Sequence, residues 1–218
     1  MATYPTSLRP PQQPRLPGAP ADYDPNYANQ LNNVLRLYFN QLDNSFAALL
    51  DSSGGAYVRN PYGAFSDFTD QTATANTATL VALATTDFSN QVTIATSKIT
   101  VQNAGIYNLQ FSVQLENNDN APQDVFFWLK QNGTDIVGST GKVGLPARKN
   151  VGDPFHDIKG WNYFLSMAAT DYVEIYWSTT SANVSIQTYA ASASPTKPST
   201  ASVVATMSFV SALPIAAV

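Results

Sequence analysis

The chain has no cysteine and only one histidine in 218 residues. Disulfides, a thiol nucleophile and a cysteine-type metal site are therefore excluded, and one imidazole cannot complete a typical transition-metal site within one chain. Charge is scarce as well. Charged residues make up 12% of the chain, against the usual ~25%. Net charge is −4, the pI is about 4.7 and there is no basic run, which argues against nucleic acid as a partner. No stretch of ~18 apolar residues is present, so we expect no membrane insertion. The opening MATYPTSLRPPQQPRLPGAP lacks the apolar block of a signal peptide. A glycine-rich phosphate loop, a nucleophile elbow and a paired-carboxylate motif are all missing. Serine and threonine are plentiful, but a hydroxyl without a nearby base is not an activated nucleophile. The chain reads as non-enzymatic, with no cofactor and no metal.

What is present starts with one convincing helix, Asp22 to Leu50. Asp24 followed by Pro25 is a start signal: the carboxylate accepts from free N–H groups, and proline suits the first helical position. Leu35, Leu42 and Leu49 are seven apart, with Leu31 and Tyr38 interleaved, and Phe39 and Phe46 widen the stripe. Asp51-Ser-Ser-Gly-Gly ends the helix. About 26 residues at ~1.5 Å each make a rod of roughly 40 Å. Such a stripe has three outlets: its own domain, a different protein, or copies of itself. No second helix follows, so self-association into a parallel bundle is the expectation, with Leu31, Leu35, Tyr38, Leu42, Phe46 and Leu49 as its interface.

Upstream, residues 1–25 hold seven of the fourteen prolines, at 5, 10, 11, 14, 17, 20 and 25. Such a segment is extended, polyproline-like and unable to build a core. We read it as an anchoring peptide whose contacts are Tyr4, Leu8, Arg9, Arg15 and Leu16. Downstream, short strands separated by turns predict an all-β antiparallel sandwich of about eight to ten strands. Candidates are Tyr62–Phe68, Ala78–Leu83, Val92–Ile94, Ile99–Val101 and Asp124–Lys130. The clearest is 105–115, where Tyr107, Leu109, Phe111, Val113 and Leu115 alternate with polar residues. Asn132-Gly133 is a hairpin signal leading to a return strand, Ile136–Ser139. Residues 141–160 read as a long irregular stretch. Trp161–Met167, Tyr172–Thr179, Val184–Tyr189 and Val203–Leu213 complete the set. The expected organisation is an arm (1–25), a helical stalk with a glycine linker (26–55) and a β head (56–218).

Two resemblances attach to these motifs. NAGIYNLQFSVQL (103–115), AATDYVEIYW (168–177) and SFVSAL (208–213) resemble strands of the complement and tumour-necrosis-factor jelly-roll superfamily, over roughly 62–213. That implies a ten-stranded jelly roll assembling as a trimer. SLRPPQQPRLP followed by YANQLNNVLRLYFNQLDN is similar to N-terminal segments of tailed-phage virion proteins, cyanophages especially. It implies a fibre, knob or decoration subunit mounted on tail, collar or capsid, located in the virion and assembled in the bacterial cytoplasm. The partners implied are a homotrimer, other virion proteins, and a host-surface glycan or protein. The rival expectation is a lectin-like receptor-binding protein for host recognition.

Smaller features carry bland expectations. His156 beside Asp157 could do acid–base work, but a loop position is expected. Asn117, Asn118, Asp119 and Asn120 read as a turn rather than a calcium site. The sequons at Asn132 and Asn183 matter only on a secretory route. Phe126, Trp128, Trp161, Tyr163, Tyr176 and Trp177 read as packing, in the core or between subunits, rather than as sugar platforms. Host specificity would lie in the loops 116–123, 141–160 and 190–200.

Overall fold

The computed structural model describes residues 11–50 and 60–213. The chain forms two compact units, Met1–Arg59 and Asn60–Val218. In the first, helix α1 spans Pro25–Leu50. Asp24 caps it as its sequence suggests, its carboxylate accepting from the Asn26 N–H at 2.8 Å. The residues proposed to end the helix, 51–55, lie outside the described residues. The arm, 11–20, has neither helix nor strand, and its half-buried prolines are Pro11, Pro14 and Pro17. A burial period of three is that of a polyproline helix laid along a surface. The surface is one flank of α1. Pro11, Pro14 and Arg15 face Val34, Leu37 and Tyr38 across a groove of about 760 Å³.

The second unit is built of strands. They are β1 (Tyr62–Asp67), β2 (Gln71–Thr72), β3 (Thr79–Leu80), β4 (Thr85–Asn90), β5 (Val92–Ala95) and β6 (Lys98–Val101). Next come β7 (Gly105–Asn117), β8 (Gln123–Gln131), β9 (Thr134–Asp135), β10 (Gly141–Leu145) and β11 (Phe155–Met167). The last are β12 (Tyr172–Thr179), β13 (Val184–Ile186), β14 (Ser192–Ala193), β15 (Thr196–Lys197) and β16 (Val203–Ser211). One sheet runs β4-β1-β16-β7-β11, with β13 and then β2 continuing beside the far end of β7. The other runs β5-β6-β12-β8-β10, with β3 beside β12 and β9 beside β8. Strands β14 and β15 make a separate hairpin. All strand pairings are antiparallel. The chain passes between sheets so that β1, β16, β7 and β11 face β6, β12, β8 and β10. That is jelly-roll order, and the fold is an all-β sandwich with a single N-terminal helix.

Period-two alternation places the core. On β7, Tyr107, Leu109, Phe111, Val113 and Leu115 are buried inward. On β8 and β12, Val125, Phe127, Leu129, Val173, Ile175 and Trp177 meet them from the other sheet. Aromatic rings bind the layers at the centre. Trp161 stacks on Phe111 at 5.2 Å and lies 4.7 Å from Phe127, which stacks in turn on Trp177 at 6.2 Å.

Several boundaries differ from the sequence reading. The stretch 141–160 contains β10 and the first half of β11. Its strand character is masked because Phe155 and Ile158 fall on opposite faces among His156, Asp157 and Lys159. The return from Asn132-Gly133 is Thr134–Asp135 rather than 136–139, with Asn132 and Gly133 at φ 51° and 80°. Ala78–Leu83 shrinks to β3 and Val184–Tyr189 to β13. Strand β4 (TTDFSN) carries one apolar residue and so gives no alternation; backbone pairing to β1 makes it a strand.

Phe127 touches both stacks, so Phe127→Ala should lower unfolding free energy by about 3–5 kcal/mol. Urea denaturation measures this; a midpoint equal to wild type would show that the ring stack is not where the layers are joined.

Candidate functional site

Three surfaces stand out, each placed by its own elements. The first is the leucine stripe of α1. Leu31, Leu35, Tyr38 and Leu42 are half-buried, while Phe39 and Phe46 are both 55% exposed and Leu49 is exposed as well. The arm faces Val34, Leu37 and Tyr38, so its groove takes in one residue of the stripe, and Leu37 beside it remains 60% exposed. Of the proposed anchoring residues, Tyr4, Leu8 and Arg9 lie outside the described residues. Arg15 and Leu16 are exposed, Leu16 by 51%. The sequence reading has the arm as extended and polyproline-like but names Arg15 and Leu16, not Pro11, Pro14 and Pro17, as its contacts; Val34 and Leu37 give no matching signal.

The second surface is the outer face of the β16-β7-β11 sheet. Registers align Ile158 with Gln114, Gly160 with Ser112, Asn162 with Gln110 and Phe164 with Asn108; Val204, Thr206 and Ser208 continue the rows. From Ile158 to Ser166 these three strands put no charged side chain on this face. Ile158 is 61% and Phe164 66% exposed, and Val204 is exposed too. Gly160 leaves a shallow hollow of about 480 Å³ between Gln110, Ser112, Asn162, Val204 and Thr206. At the edge of the sheet, Tyr62 and Phe88 are exposed and meet edge to face at 6.1 Å.

The opposite outer face, on β8 and β12, was the place where the sequence reading put a subunit interface. There the chain covers its own rings. Lys98 sits over Tyr172 at 4.3 Å, Lys130 over Tyr176 at 4.5 Å and Lys142 over Phe126 at 5.7 Å. Trp128 lies 5.8 Å from Tyr176, and its Nε1 donates to Asp135 at 2.8 Å. Trp161, Tyr163 and Trp177 belong to the core or pack against it.

The third surface is the end of the sandwich away from Asn60. Strand β1 runs from the entry end to Asp67, and β7 from Gly105, beside Met167, to Asn117 at the far end. Two of the loops named for specificity, 116–123 and 141–160, come together at that far end, and the loop that ties to them there is 180–183 rather than 190–200. Asn117 Oδ1 accepts from the Asp119 N–H at 2.9 Å, an Asx turn as expected. Asp119 Oδ2 accepts from Ser181 at 2.7 Å and Gln123 at 3.1 Å, tying two loops together. The Ser181 hydroxyl, above all, holds the Asp119 carboxyl below the usual carboxylate range. The Arg148 guanidinium donates to the Asn118 carbonyl at 3.0 Å, adding the third loop.

His156 is not on a loop. It lies in β11 directly opposite Glu116 of β7. Its Nδ1 is 2.8 Å from the Tyr189 hydroxyl and 3.6 Å from Glu116 Oε2. Burial, and after it the nearby Glu116 and Asp70 carboxylates, pushes the Tyr189 hydroxyl up to about 12. The sequence reading missed this grouping because its partners are 40 and 33 residues away along the chain. No protein-family model matches the chain, and no curated protein matches it either.

A raised phenol means stability that is complete below its ordinary value near 10 and is lost as pH climbs toward about 12. Tyr189→Phe should flatten that alkaline loss, leaving the smaller slopes from Tyr107 and Tyr163, which burial also raises. Urea midpoints at pH 9, 10.5 and 11.5 test it; parallel curves for the two proteins would contradict it.

Proposed function

We propose that the chain is a non-enzymatic structural subunit of a phage virion that works as a homotrimer. It would be mounted through its N-terminal segment on tail, collar or capsid, with the sandwich as the exposed head. The observation that carries this reading is the heptad stripe on α1, with Leu31, Leu35 and Leu42 half-buried and Phe46 and Leu49 exposed, in a unit compact apart from the head. An apolar stripe of this period is the seam of a helical bundle, and copies of the same helix supply it in register. The charge-free outer face of β16-β7-β11 supports association of the heads as well, since its exposed Ile158, Phe164 and Val204 gain from burial at ~25 cal/mol per Å². The similarity of the arm and helix to tailed-phage virion segments supplies the setting.

The second reading, a lectin-like receptor-binding role, is favoured by one observation. The loops 118–122, 146–154 and 180–183 share the end of the head farthest from its chain entry, linked through Asp119 and Arg148. A loop surface at the end of the head opposite its chain entry could meet a host ligand, and three heads would multiply a weak affinity.

Light scattering after size exclusion should return a trimer for the full chain. Leu35→Asp with Leu42→Asp should weaken association by at least about 100-fold, from the ~2–5 kcal/mol lost at each buried leucine. A monomeric wild type sinks the trimer, whereas a variant that remains trimeric moves the association to the heads. Glycan-array binding by the full chain distinguishes the receptor-binding role from a purely structural one.

A further inference from the structure

The connection from β13 to β16 crosses the far end of the head and carries the β14-β15 hairpin. Its base is closed by Tyr189 and Thr200, whose backbones pair in both directions at 2.8 and 3.3 Å. Lys197 reinforces the closure, donating to the Ala190 carbonyl at 2.6 Å and lying 5.8 Å from the centre of the Tyr189 ring. Tyr189 is thus one of the residues that fix the connection to the sheet, along with Gln187, whose N–H donates to the Gln114 carbonyl at 2.9 Å. The sheet meets Tyr189 with His156 and Glu116. The two rings pack edge to face at 5.6 Å.

The charged groups around the Tyr189–His156 pair come from several elements. Glu116 is on β7 and its side chain is 16% exposed. Lys197 is on β15. Asp70 lies between β1 and β2, accepting from the Thr188 N–H at 2.8 Å and, with the Gln187 amide turned to suit both neighbours, from Gln187. On β11 itself, Asp157 and Lys159 pair with each other at 2.8 Å on the other face. With a neutral imidazole, the Glu116, Asp70 and Lys197 charges leave the group one negative charge in excess. A proton on His156 cancels it.

We propose that His156 is a pH-operated latch holding the 187–201 connection against the end of the β7-β11 pair. In the neutral tautomer protonated at Nε2, its Nδ1 accepts a hydrogen bond from the Tyr189 hydroxyl. When protonated, Nδ1–H becomes a donor to the Tyr189 oxygen and faces Glu116, and the freed hydroxyl proton turns to Glu116 Oε2, now 3.5 Å away. One neutral hydrogen bond is replaced by a charge-assisted chain across three elements, so the hairpin is held more tightly at low pH. The tyrosine remains a donor throughout, because its hydroxyl ionises only near pH 12. This inference concerns the head alone and stands or falls independently of the virion reading.

His156 is the only imidazole in the chain, which makes the experiment clean. Hydrogen–deuterium exchange of the full chain at pH 7.5 and 5.5, corrected for intrinsic rates, reads protection of 187–201 against that of β7 and β12. Protection of 187–201 should rise about fivefold at pH 5.5, the difference between a neutral and a charge-assisted bond. The interior strands should not change. In His156→Gln the rise should vanish, and in Glu116→Gln it should shrink while the hairpin stays folded. Equal protection at both pH values in wild type overturns the latch, as does a rise that survives in His156→Gln.

Discussion

The head depends on β7 being paired on both sides. Along all thirteen residues it is bonded to β11; on its other edge β16 covers most of its length and β13 the end. A strand held this way cannot slip by one residue without turning every inward side chain outward. Its alternation of Tyr107, Leu109, Phe111, Val113 and Leu115 therefore fixes register for three neighbours at once. The opposite sheet takes its position from the same side chains, because the Phe111–Trp161–Phe127–Trp177 contacts span the gap between layers. Trp177 packs there with its Nε1 lacking any partner, the one buried side-chain polar atom so placed among the described residues. Ring packing outweighs one unmade hydrogen bond at that position.

The same dependence explains what could be read from the sequence. Strands that own their hydrophobic pattern, such as β7, β12 and β16, were legible because burial on one face writes a period of two into the chain. Strands that borrow their order from a neighbour were not. Thr85–Asn90 is a strand because β1 offers it a hydrogen-bonding edge, and nothing in TTDFSN announces that. The first half of β11 extends beside β7 where both faces are partly wet, so His156, Asp157 and Lys159 read as a loop. The far-end grouping was illegible for a related reason: Glu116, His156 and Tyr189 meet only through strand register and a crossover. The helix was the easiest element, since its cap and heptad are local signals. Its arm was half legible. Its proline content announced an extended segment, but not which of its residues would pack, and a polyproline segment carries no code for the flank of the helix it will choose.

That choice of flank matters for the first unit. A helix with apolar residues on two flanks would be a poor monomer and an indiscriminate partner. The arm lies along Val34 and Tyr38 with proline rings whose backbone has little conformational freedom left to lose, while Leu37 stays 60% exposed. What remains most open is Leu37, Phe39, Phe46 and Leu49, with Leu31, Leu35 and Leu42 half-buried. Covering the wrong surface is as much a part of specificity as exposing the right one.

The head separates its surfaces by the same logic, using charge. Its β8-β12 face keeps aromatic rings under lysine stems whose ammonium groups remain in water. Its far end concentrates Glu116, Asp119, His156, Arg148 and Lys197. Between Ile158 and Ser166, the outer face of β16-β7-β11 instead carries carboxamides, hydroxyls and exposed Ile158, Phe164 and Val204. Burying a charge means giving up several kcal/mol of hydration, whereas an amide or hydroxyl exchanges one hydrogen-bond partner for another at a net change of about 1 kcal/mol. A face without charge can therefore be buried against another protein surface with little loss, and its apolar residues then decide the sign. In a chain with half the usual charge, where the few charges stand is the strongest statement the surface makes. They stand where water must stay, and they leave clear the face that can do without it.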